Sequence, residues 1–370
     1  MQKKKILFVV EAFGGGIFTY VADLVNELSE HYDFTIAYAL RSQTPEDFQS
    51  YFKDNINFIE VKHFTRGIQP IDDLQALFEI KKIAKEVNPD IIHLHSSKAG
   101  VLGRLAFWFH KVPLFYTPHG YSFLMQEMSV VKRKIYFLIE KVMTFNKCIT
   151  ISCSEGEHNE TLRLTKRAKY VNNGIDIEKL DQQLDVVSSK SNNKSFIVFT
   201  IGRICYQKNP PLFNDIASKM SDVDFLWIGD GERREELTSD NIKITGWVDR
   251  KQALQYAQNA DVFVLPSRWE GLPMSLLEVM YMQKPCVVSD IIGNHDVIDN
   301  GRNGVVCNTA DEFVAAIKKL KSDNEFSKKC CEQAYSDVIN EYKELFQNNL
   351  YTWFNDIIPF FVRTQVLNVK

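Results

Sequence analysis

Short runs of apolar, β-branched and aromatic residues alternate along the chain with longer segments in which apolar residues recur at helical spacing. This alternation predicts strand–helix units whose strands lie in a buried parallel sheet. The first half of the chain contains six such runs, at 6–10, 34–38, 58–61, 91–95, 114–117 and 148–152. The second half contains six more, at 196–201, 224–228, 242–245, 262–266, 286–289 and 304–307. The sequence therefore predicts an α/β protein made of two doubly wound, Rossmann-like halves.

The predicted domain boundary lies in one polar segment near the middle of the chain. Residues 181–194 contain SSKSNNK and have no sustained apolar period, which is typical of an exposed linker. The chain length of 370 residues also exceeds the size at which single cores stop growing, roughly 250 to 300 residues. We therefore predict an N-terminal domain at 1–180, a C-terminal domain at 195–345, and a helix at 346–370 that packs back on the N-terminal domain.

Charge and cysteine content narrow the class of partner and the cellular location. The 44 Lys and Arg residues are offset by 47 Asp and Glu residues, so the formal net charge of −3 disfavours nucleic acid as a partner. Seven cysteines without a CxxC pair suit a reducing cytosol. The first apolar run is too short for a signal peptide, and no stretch approaches the roughly 18 apolar residues of a spanning helix. We expect a cytoplasmic protein, with peripheral contact to the inner face of the cell membrane as an open alternative.

Ligands of doubly wound sheets bind beyond the carboxyl ends of the strands, so the residues that follow each strand are the candidates for a binding site. Gly15 and Gly16 follow the first strand and begin a helix, where backbone amides favour an anion, although a plain tight turn is the alternative interpretation. The spacing is not GxGxxG and no acidic residue ends the second strand, so a nicotinamide dinucleotide site, and with it an oxidoreductase, is disfavoured. The fifth strand ends in TPHG. This position predicts that His119 projects into a cleft between the two predicted domains, unless it is a structural histidine.

The first strand of the second half ends in a glycine turn that carries two cations. In GRICYQKNP, Gly202 makes the turn, and Arg203 and Lys208 stand five residues apart before a helix. A guanidinium fork and a point charge that converge at a helix start suit a diphosphate, whereas two solvated cations are the alternative. Gly229 repeats the glycine turn after the next strand, and its amide is expected to line the same pocket.

Two carboxylates stand eight positions apart in PSRWEGLPMSLLE. Glu270 precedes the predicted helix and Glu278 lies within it. Between them, the amides of Gly271 and Leu272 are expected to form an anion site at the helix N-terminus. The two carboxylates, one on each side of a phosphate site, can accept hydrogen bonds from sugar hydroxyls. This arrangement matches the layout of a nucleotide sugar.

These motifs occur together with HLHSSKAG, ISCSEGE, VNNGID and GNHDVIDNGRNGVV, in order, over essentially the whole chain. In this the chain resembles the retaining glycosyltransferases of family 4, and among them the bacterial capsular and exopolysaccharide enzymes. The resemblance implies the GT-B fold, in which two Rossmann-like domains face one another across a cleft. It also implies hexosyl transfer from a nucleotide diphosphate sugar, with UDP expected as the nucleotide, to a glycan or polyprenyl-diphosphate-linked acceptor. In the segment GGGIFTY, no charged pair follows the glycines, whereas many relatives carry one there. This departure concerns the part of the predicted site that would bind the acceptor.

The resemblance also implies roles for individual residues. Arg203 and Lys208 would neutralise the donor diphosphate, so neither a metal nor another cofactor is expected. Glu270 would bind hydroxyls of the transferred sugar, Glu278 the ribose, and His119 the donor sugar. The Gly15–Gly16 turn would lie beneath the diphosphate, and acceptor attack would retain the anomeric configuration.

Three alternatives remain open from the sequence alone. A nucleotide-sugar epimerase of the same fold would bind the same donor without needing an acceptor. A non-catalytic subunit would only hold the nucleotide sugar. The helix predicted over 129–147 contains Lys132, and its polar side carries Arg133, Lys134, Lys141 and Thr144; this side either rests on anionic lipid or is simply solvated.

Overall fold

The computed structural model describes residues 3–125, 128–184 and 195–343. These residues form two compact units. Unit 1 comprises the described residues up to 172 apart from Met125, and unit 2 comprises Met125 and the described residues from 173 onward. The predicted helix at 346–370 lies outside the described residues, as does most of the predicted linker, whose first four residues belong instead to a helix that ends at Leu184.

Unit 1 is built on a parallel sheet of seven strands. The strands are β1 (Lys4–Val10), β2 (Tyr32–Tyr38), β3 (Asn57–Glu60), β4 (Ile91–His95), β5 (Leu114–Thr117), β6 (Ile149–Ser152) and β7 (Ala168–Tyr170). The helices are α1 (Gly15–Leu28), α2 (Pro70–Val87), α3 (Ser97–Ala106), α4 (Val130–Met143) and α5 (Glu155–Leu164). The strand order is β3-β2-β1-β4-β5-β6-β7, so the chain reverses its direction across the sheet between β1 and β4.

Unit 2 is built on a second parallel sheet, of six strands. The strands are β8 (Ile197–Ile201), β9 (Asp224–Ile228), β10 (Ile242–Ile244), β11 (Val262–Leu265), β12 (Cys286–Ser289) and β13 (Val305–Cys307). The helices are α6 (Ile177–Leu184), α7 (Pro210–Ser218), α8 (Arg250–Gln258), α9 (Met274–Tyr281), α10 (Ala310–Ser322) and α11 (Asn324–Asp337). The order β10-β9-β8-β11-β12-β13 places the reversal between β8 and β11.

The predicted fold class is confirmed, because both units are doubly wound parallel α/β layers. Each of the predicted strands is present, with ends within about two residues of the expected ones. The inner strands, such as β1, β4 and β11, are buried along most of their length because helices cover both faces of a parallel sheet, whereas the edge strands β3 and β10 are only partly buried. The strand that the sequence did not reveal is β7, which has only three residues at the edge of its sheet, two of them exposed.

Helix α4 is oriented with its apolar side toward solvent. Leu138 is 61% exposed and Phe145, just beyond the helix, is 77% exposed, and they continue a stripe of exposed apolar residues, Val131, Ile135 and Val142. Two cations of the predicted polar side hydrogen-bond to the protein: Arg133 Nε donates to the Phe123 carbonyl (3.1 Å) and Lys141 Nζ to the Leu164 carbonyl (2.6 Å). The outward surface of α4 therefore carries an apolar stripe beside exposed lysines.

A buried ion pair fixes this orientation of α4. Arg104 of α3 and Glu140 of α4 are 1% and 4% exposed, and Arg104 Nη2 lies 2.6 Å from Glu140 Oε2. Tyr116 of β5 donates its hydroxyl to the other carboxylate oxygen at 3.0 Å, and the guanidinium lies 4.3 Å from the centre of the Tyr116 ring. Because burial of an unpaired charge is costly, the pair keeps the Glu140 side of α4 against α3 and the sheet.

Candidate functional site

In unit 2, the loops after β8 and β11 are joined by hydrogen bonds through one glutamine. The Gln207 carbonyl accepts from the Arg268 amide at 2.8 Å, and Gln207 Nε2 donates to the Trp269 carbonyl at 3.0 Å. These loops leave neighbouring strands at the point where the sheet reverses, which is where open α/β sheets bind ligands. The residues that the sequence singled out in the two loops are therefore held in one assembly.

Lys208 and Glu270 are in direct contact within this assembly. Lys208 Nζ lies 2.8 Å from Glu270 Oε1, and Gln207 Nε2 donates to Glu270 Oε2 at 3.1 Å. The Glu270 side chain is only 8% exposed and that of Lys208 only 16%, so the charges are largely withdrawn from water. Gly202 makes this approach feasible, because a Cβ on it would lie 3.1 Å from Lys208 Cε and its φ is +144°.

Arg203 is paired with a carboxylate that the sequence did not single out. Its Nε and Nη2 lie 2.9 Å and 2.8 Å from the same oxygen, Oε2 of Glu232. The Glu232 side chain is nearly half exposed, and such pairs contribute only about 0 to 1 kcal/mol. An incoming phosphate can therefore replace Glu232 as the partner of Arg203 at little cost.

The glycine turn after β9 has a packing role in this structure. Gly229 has φ +135°, and a Cβ on it would lie 2.3 Å from the Gly202 carbonyl oxygen. Its amide donates to Thr245 Oγ1 at 3.0 Å, and the Gly202 amide donates to the Ile228 carbonyl, also at 3.0 Å. Both glycines thus allow close approach of the two turns, while their amides bond to the protein.

The start of α9 offers amides that are not used elsewhere. Gly271 and Leu272 are buried, and within the part of the chain that the structure describes their amides donate to no acceptor. The Leu272 carbonyl accepts from Asn173 Nδ2 at 2.9 Å, which fixes this loop. Glu278, within α9, is 8% exposed and forms an ion pair of 2.7 Å with Arg250 at the start of α8. Unused amides thus precede a helix that carries a buried, paired carboxylate, and the anion site at these amides stays a prediction.

In unit 1, the predicted glycine turn lies at the start of α1. Gly15 and Gly16 are exposed, and Gly15 has φ +56° with open space where a Cβ would be. Glu11, at the end of β1, is buried; it forms an ion pair with Arg41 and accepts a hydrogen bond from Ser96 Oγ at 3.2 Å. No role for Glu11 follows from the sequence pattern alone.

His119 sits on a strained turn at the end of β5. It has φ +54°, rare for a residue other than glycine, and is only partly exposed. The next amide, of Gly120, donates to Oε1 of the fully buried Glu157 at 2.6 Å, which holds the turn in place. Glu157 was missed, although Ser154-x-x-Glu157 has the pattern of a capping box and the Glu157 amide indeed donates to Ser154 Oγ at 3.2 Å.

Three histidines of unit 1, His93, His95 and His119, form a cluster at the ends of β4 and β5. A hydrogen bond of 3.1 Å joins His95 Nδ1 and His119 Nε2, and the ring centres of His93 and His95 are 4.1 Å apart. Desolvation lowers the pKa of His93 and of His119 to about 3, so the rings are neutral at physiological pH. Within residues 3–125, 128–184 and 195–343, no group of three or more His, Cys, Asp and Glu is arranged to hold a metal ion.

Comparison with known proteins links both units to sugar transfer. The family description "Glycosyltransferase Family 4" matches residues 14–179, and "Glycosyl transferases group 1" matches residues 181–337. The Escherichia coli UDP-Gal:α-D-GlcNAc-diphosphoundecaprenol α-1,3-galactosyltransferase is 33% identical over 319 residues, covering 76% of this chain and 79% of that protein. The Campylobacter jejuni N,N'-diacetylbacillosaminyl-diphospho-undecaprenol α-1,3-N-acetylgalactosaminyltransferase is 25% identical, covering 85% of this chain and 92% of that protein.

Solved structures match the fold over nearly the whole chain. Sucrose-phosphate synthase from Thermosynechococcus elongatus has a TM-score of 0.81 at 16% identity, covering 96% of this chain and 100% of that one. Anabaena HepE, in complex with UDP and glucose, has a TM-score of 0.75 at 17% identity, covering 95% of this chain and 100% of that one. At these identities, the likeness concerns the fold alone.

Proposed function

This chain belongs to the family 4 glycosyltransferases, and from that membership we propose that it transfers a sugar from a UDP-sugar to a lipid-linked glycan in the synthesis of a bacterial surface polysaccharide. The two relatives described above are named for transfer to diphosphoundecaprenol-linked sugars, and one of them for a UDP-linked donor. The observation that carries the proposal is the Lys208–Glu270 contact at the reversal point of the unit 2 sheet, next to unused amides.

The charged side chains of the candidate site in unit 2 would each bind one part of this donor. Lys208 and Arg203 would exchange their carboxylate partners for diphosphate oxygens, assisted by the amides of Gly271 and Leu272. Glu270, released from Lys208, would accept hydrogen bonds from sugar hydroxyls. Glu278 would bind the ribose hydroxyls, and we assign His119 to the donor sugar and the Gly15–Gly16 turn to the diphosphate, as the family resemblance implies.

The chemistry then depends on stabilising the leaving group. The bond between the anomeric carbon and the β-phosphate oxygen breaks, and its electron pair stays on UDP. The acceptor hydroxyl oxygen forms the new bond on the same face of the sugar, and its proton passes to the departing phosphate oxygen, so the configuration is retained. In the transition state, additional negative charge develops on the diphosphate. Fixed cations and amides stabilise this charge distribution more than they stabilise that of the ground state. We propose that no metal is required, since these groups balance that charge.

A transfer assay with a panel of nucleotide sugars and an undecaprenyl-diphosphate-linked sugar tests this function. We expect product only with a UDP-sugar and acceptor together, an unchanged anomeric configuration by NMR, and unchanged turnover after addition of a chelator. Conversion of the donor without acceptor would indicate an epimerase instead. Donor binding without any product, across the acceptor panel, would indicate a binding subunit.

We further propose that unit 1 contacts the membrane through the exposed face of α2, α3 and α4. Helix α3 packs against both neighbours, and each helix or its adjoining residues expose large apolar side chains. These side chains are Ile68, Ile71, Leu74, Phe78, Leu105, Phe109, Val130, Val131, Ile135, Leu138, Val142 and Phe145. Exposed lysines, among them Lys81, Lys132 and Lys134, border them, which favours an anionic lipid surface over a second copy of this chain. Such contact would keep the enzyme close to a lipid-linked acceptor.

Vesicle flotation tests the membrane contact. We expect the protein to float with vesicles that contain phosphatidylglycerol, and Leu138→Glu to reduce the floating fraction severalfold, because it places a charge in the apolar stripe. Leu162→Glu is the matched control, since Leu162 on α5 is also about half exposed but lies outside the three helices. Recovery of all wild-type protein in the soluble fraction would contradict this proposal. No helix within the described residues has the length and apolar character needed to cross a bilayer.

A further inference from the structure

Among the described residues, only one ring nitrogen of the buried His95 has a hydrogen-bond partner. Its side chain is fully buried, and its Nδ1 lies 3.1 Å from Nε2 of His119, with the ring centres 5.3 Å apart and the planes inclined by 21°. Its other nitrogen, Nε2, is buried and has no hydrogen-bond partner among the described residues. The apolar ring of Phe8 packs against His95, with the ring centres 4.7 Å apart.

This arrangement decides which nitrogen of His95 carries the proton. A neutral imidazole has one N–H donor and one acceptor nitrogen. If Nε2 of His95 carried the proton, an N–H group would be buried without an acceptor, which is rare and costs about 1 to 3 kcal/mol. With the proton on Nδ1, the N–H of His95 donates to His119, and only a lone pair remains without a partner. The second form is therefore the stable one.

The proton position of His119 follows from that of His95. Because Nε2 of His119 accepts the hydrogen bond, a neutral His119 must carry its proton on Nδ1. No hydrogen bond to the described residues occupies Nδ1 of His119, and the residue is partly exposed. The edge of Tyr20 packs against its ring, with centres 5.0 Å apart, and restricts its rotation. The neutral state is supported by the lowered pKa of His119.

We infer that His95 is a positioning residue that fixes His119 in the Nδ1–H tautomer, so that His119 presents a hydrogen-bond donor, and not a base, to an oxygen of the donor substrate. This inference rests on the proposed function only for the identity of that oxygen, which belongs to the sugar or diphosphate. The tautomer itself is a property of unit 1. His119 would then steady the donor during transfer, and proton removal from the acceptor would fall to another group, such as the departing phosphate.

Histidine NMR on the full chain, labelled with ¹⁵N at histidine, tests the tautomer without an activity measurement. The His119 signals are identified by their loss in His119→Gln. We expect the Nδ1–H tautomer for His119 in the wild type, and its retention in His95→Asn, where an amide N–H stands near the position of the imidazole Nδ1–H. In His95→Phe, which keeps an aromatic ring but offers no donor, we expect His119 to shift to the Nε2–H form. An Nε2–H tautomer in the wild type, or no shift in His95→Phe, would overturn the inference.

Kinetics of the same variants separate positioning from a merely structural role. We expect His95→Phe to lower kcat by about tenfold to a hundredfold, the same range as the loss when the hydrogen-bond partner of a metal-binding histidine is removed, with activity restored in His95→Asn. His110→Asn, at an exposed histidine, is the control and should match the wild type. Equal losses in both His95 variants would assign His95 to packing and overturn the positioning role. Full activity of His119→Gln would overturn the role of His119 in the proposed function, while the NMR result would stand separately.

Discussion

Replacement of Lys208 by alanine is expected to lower kcat by at least about tenfold to a hundredfold, the size of the effect when one preorganised charge contact is removed. In this structure Lys208 is held 2.8 Å from Glu270 and is largely shielded from water, so its charge acts at low local dielectric. The variant also leaves Glu270 with Gln207 as its remaining hydrogen-bond partner at that carboxylate. The measurement is initial-rate kinetics with saturating acceptor, together with the thermal shift that UDP produces.

Two comparisons make this result specific. Lys318→Ala removes an exposed lysine of α10 in the same unit and should leave kcat and the UDP-induced shift unchanged. Glu270→Gln should lower turnover while preserving the UDP-induced shift, because the carboxylate is assigned to the sugar and not to the nucleotide. Wild-type activity in Lys208→Ala would contradict the role of this lysine in transfer.

Replacement of Arg104 by methionine is expected to lower the free energy of unfolding by about 3 to 5 kcal/mol, the cost of leaving a buried charge without its partner. Of its contacts described above, Glu140 would keep the hydrogen bond from the Tyr116 hydroxyl. The contact between the guanidinium and the Tyr116 ring would be lost with the arginine. Burial by itself would lower the pKa of Arg104, but Glu140 and Tyr116 raise it above its usual value, as expected for a charge held by its partner. Urea unfolding followed by circular dichroism measures the change.

The control variants distinguish a broken pair from a lost packing contact. Arg104→Met with Glu140→Leu replaces both charges by apolar groups and should recover most of the lost stability. Arg163→Met disrupts an exposed pair with Glu160 and should cost about 0 to 1 kcal/mol. A double variant as unstable as Arg104→Met would show that the ion pair is not what holds α3 and α4 together.

The strands were predictable because a parallel sheet buried on both faces imposes short continuous apolar runs, as in β1 and β11. β7 was not predicted because a three-residue edge strand with two exposed residues does not need a continuous apolar run. For α4, helical periodicity defined two sides but could not decide which one faces the sheet. That choice depends on the buried pair between Arg104 and Glu140, which lie 36 positions apart in the chain.

The candidate site was predictable to the extent that it follows strand ends. Lys208 and Glu270 were assigned to one site from two separate loops, and they are in contact. The ion-pair partners of Arg203 and Glu278 were not predictable from the sequence. Glu232 meets Arg203, and Arg250 meets Glu278, only through tertiary packing. Likewise, the hydrogen bond between His95 and His119 joins residues 24 positions apart and is not visible in the pattern HLHSSKAG.

A crystal structure of the protein with UDP bound would show where the donor diphosphate lies. We expect it at the reversal point of the unit 2 sheet, in contact with Arg203, Lys208 and the amides of Gly271 and Leu272, with the Arg203–Glu232 and Lys208–Glu270 contacts replaced. Glu278 should face the ribose. UDP bound elsewhere, or bound there with Arg203 and Lys208 still on their carboxylates, would contradict this expectation.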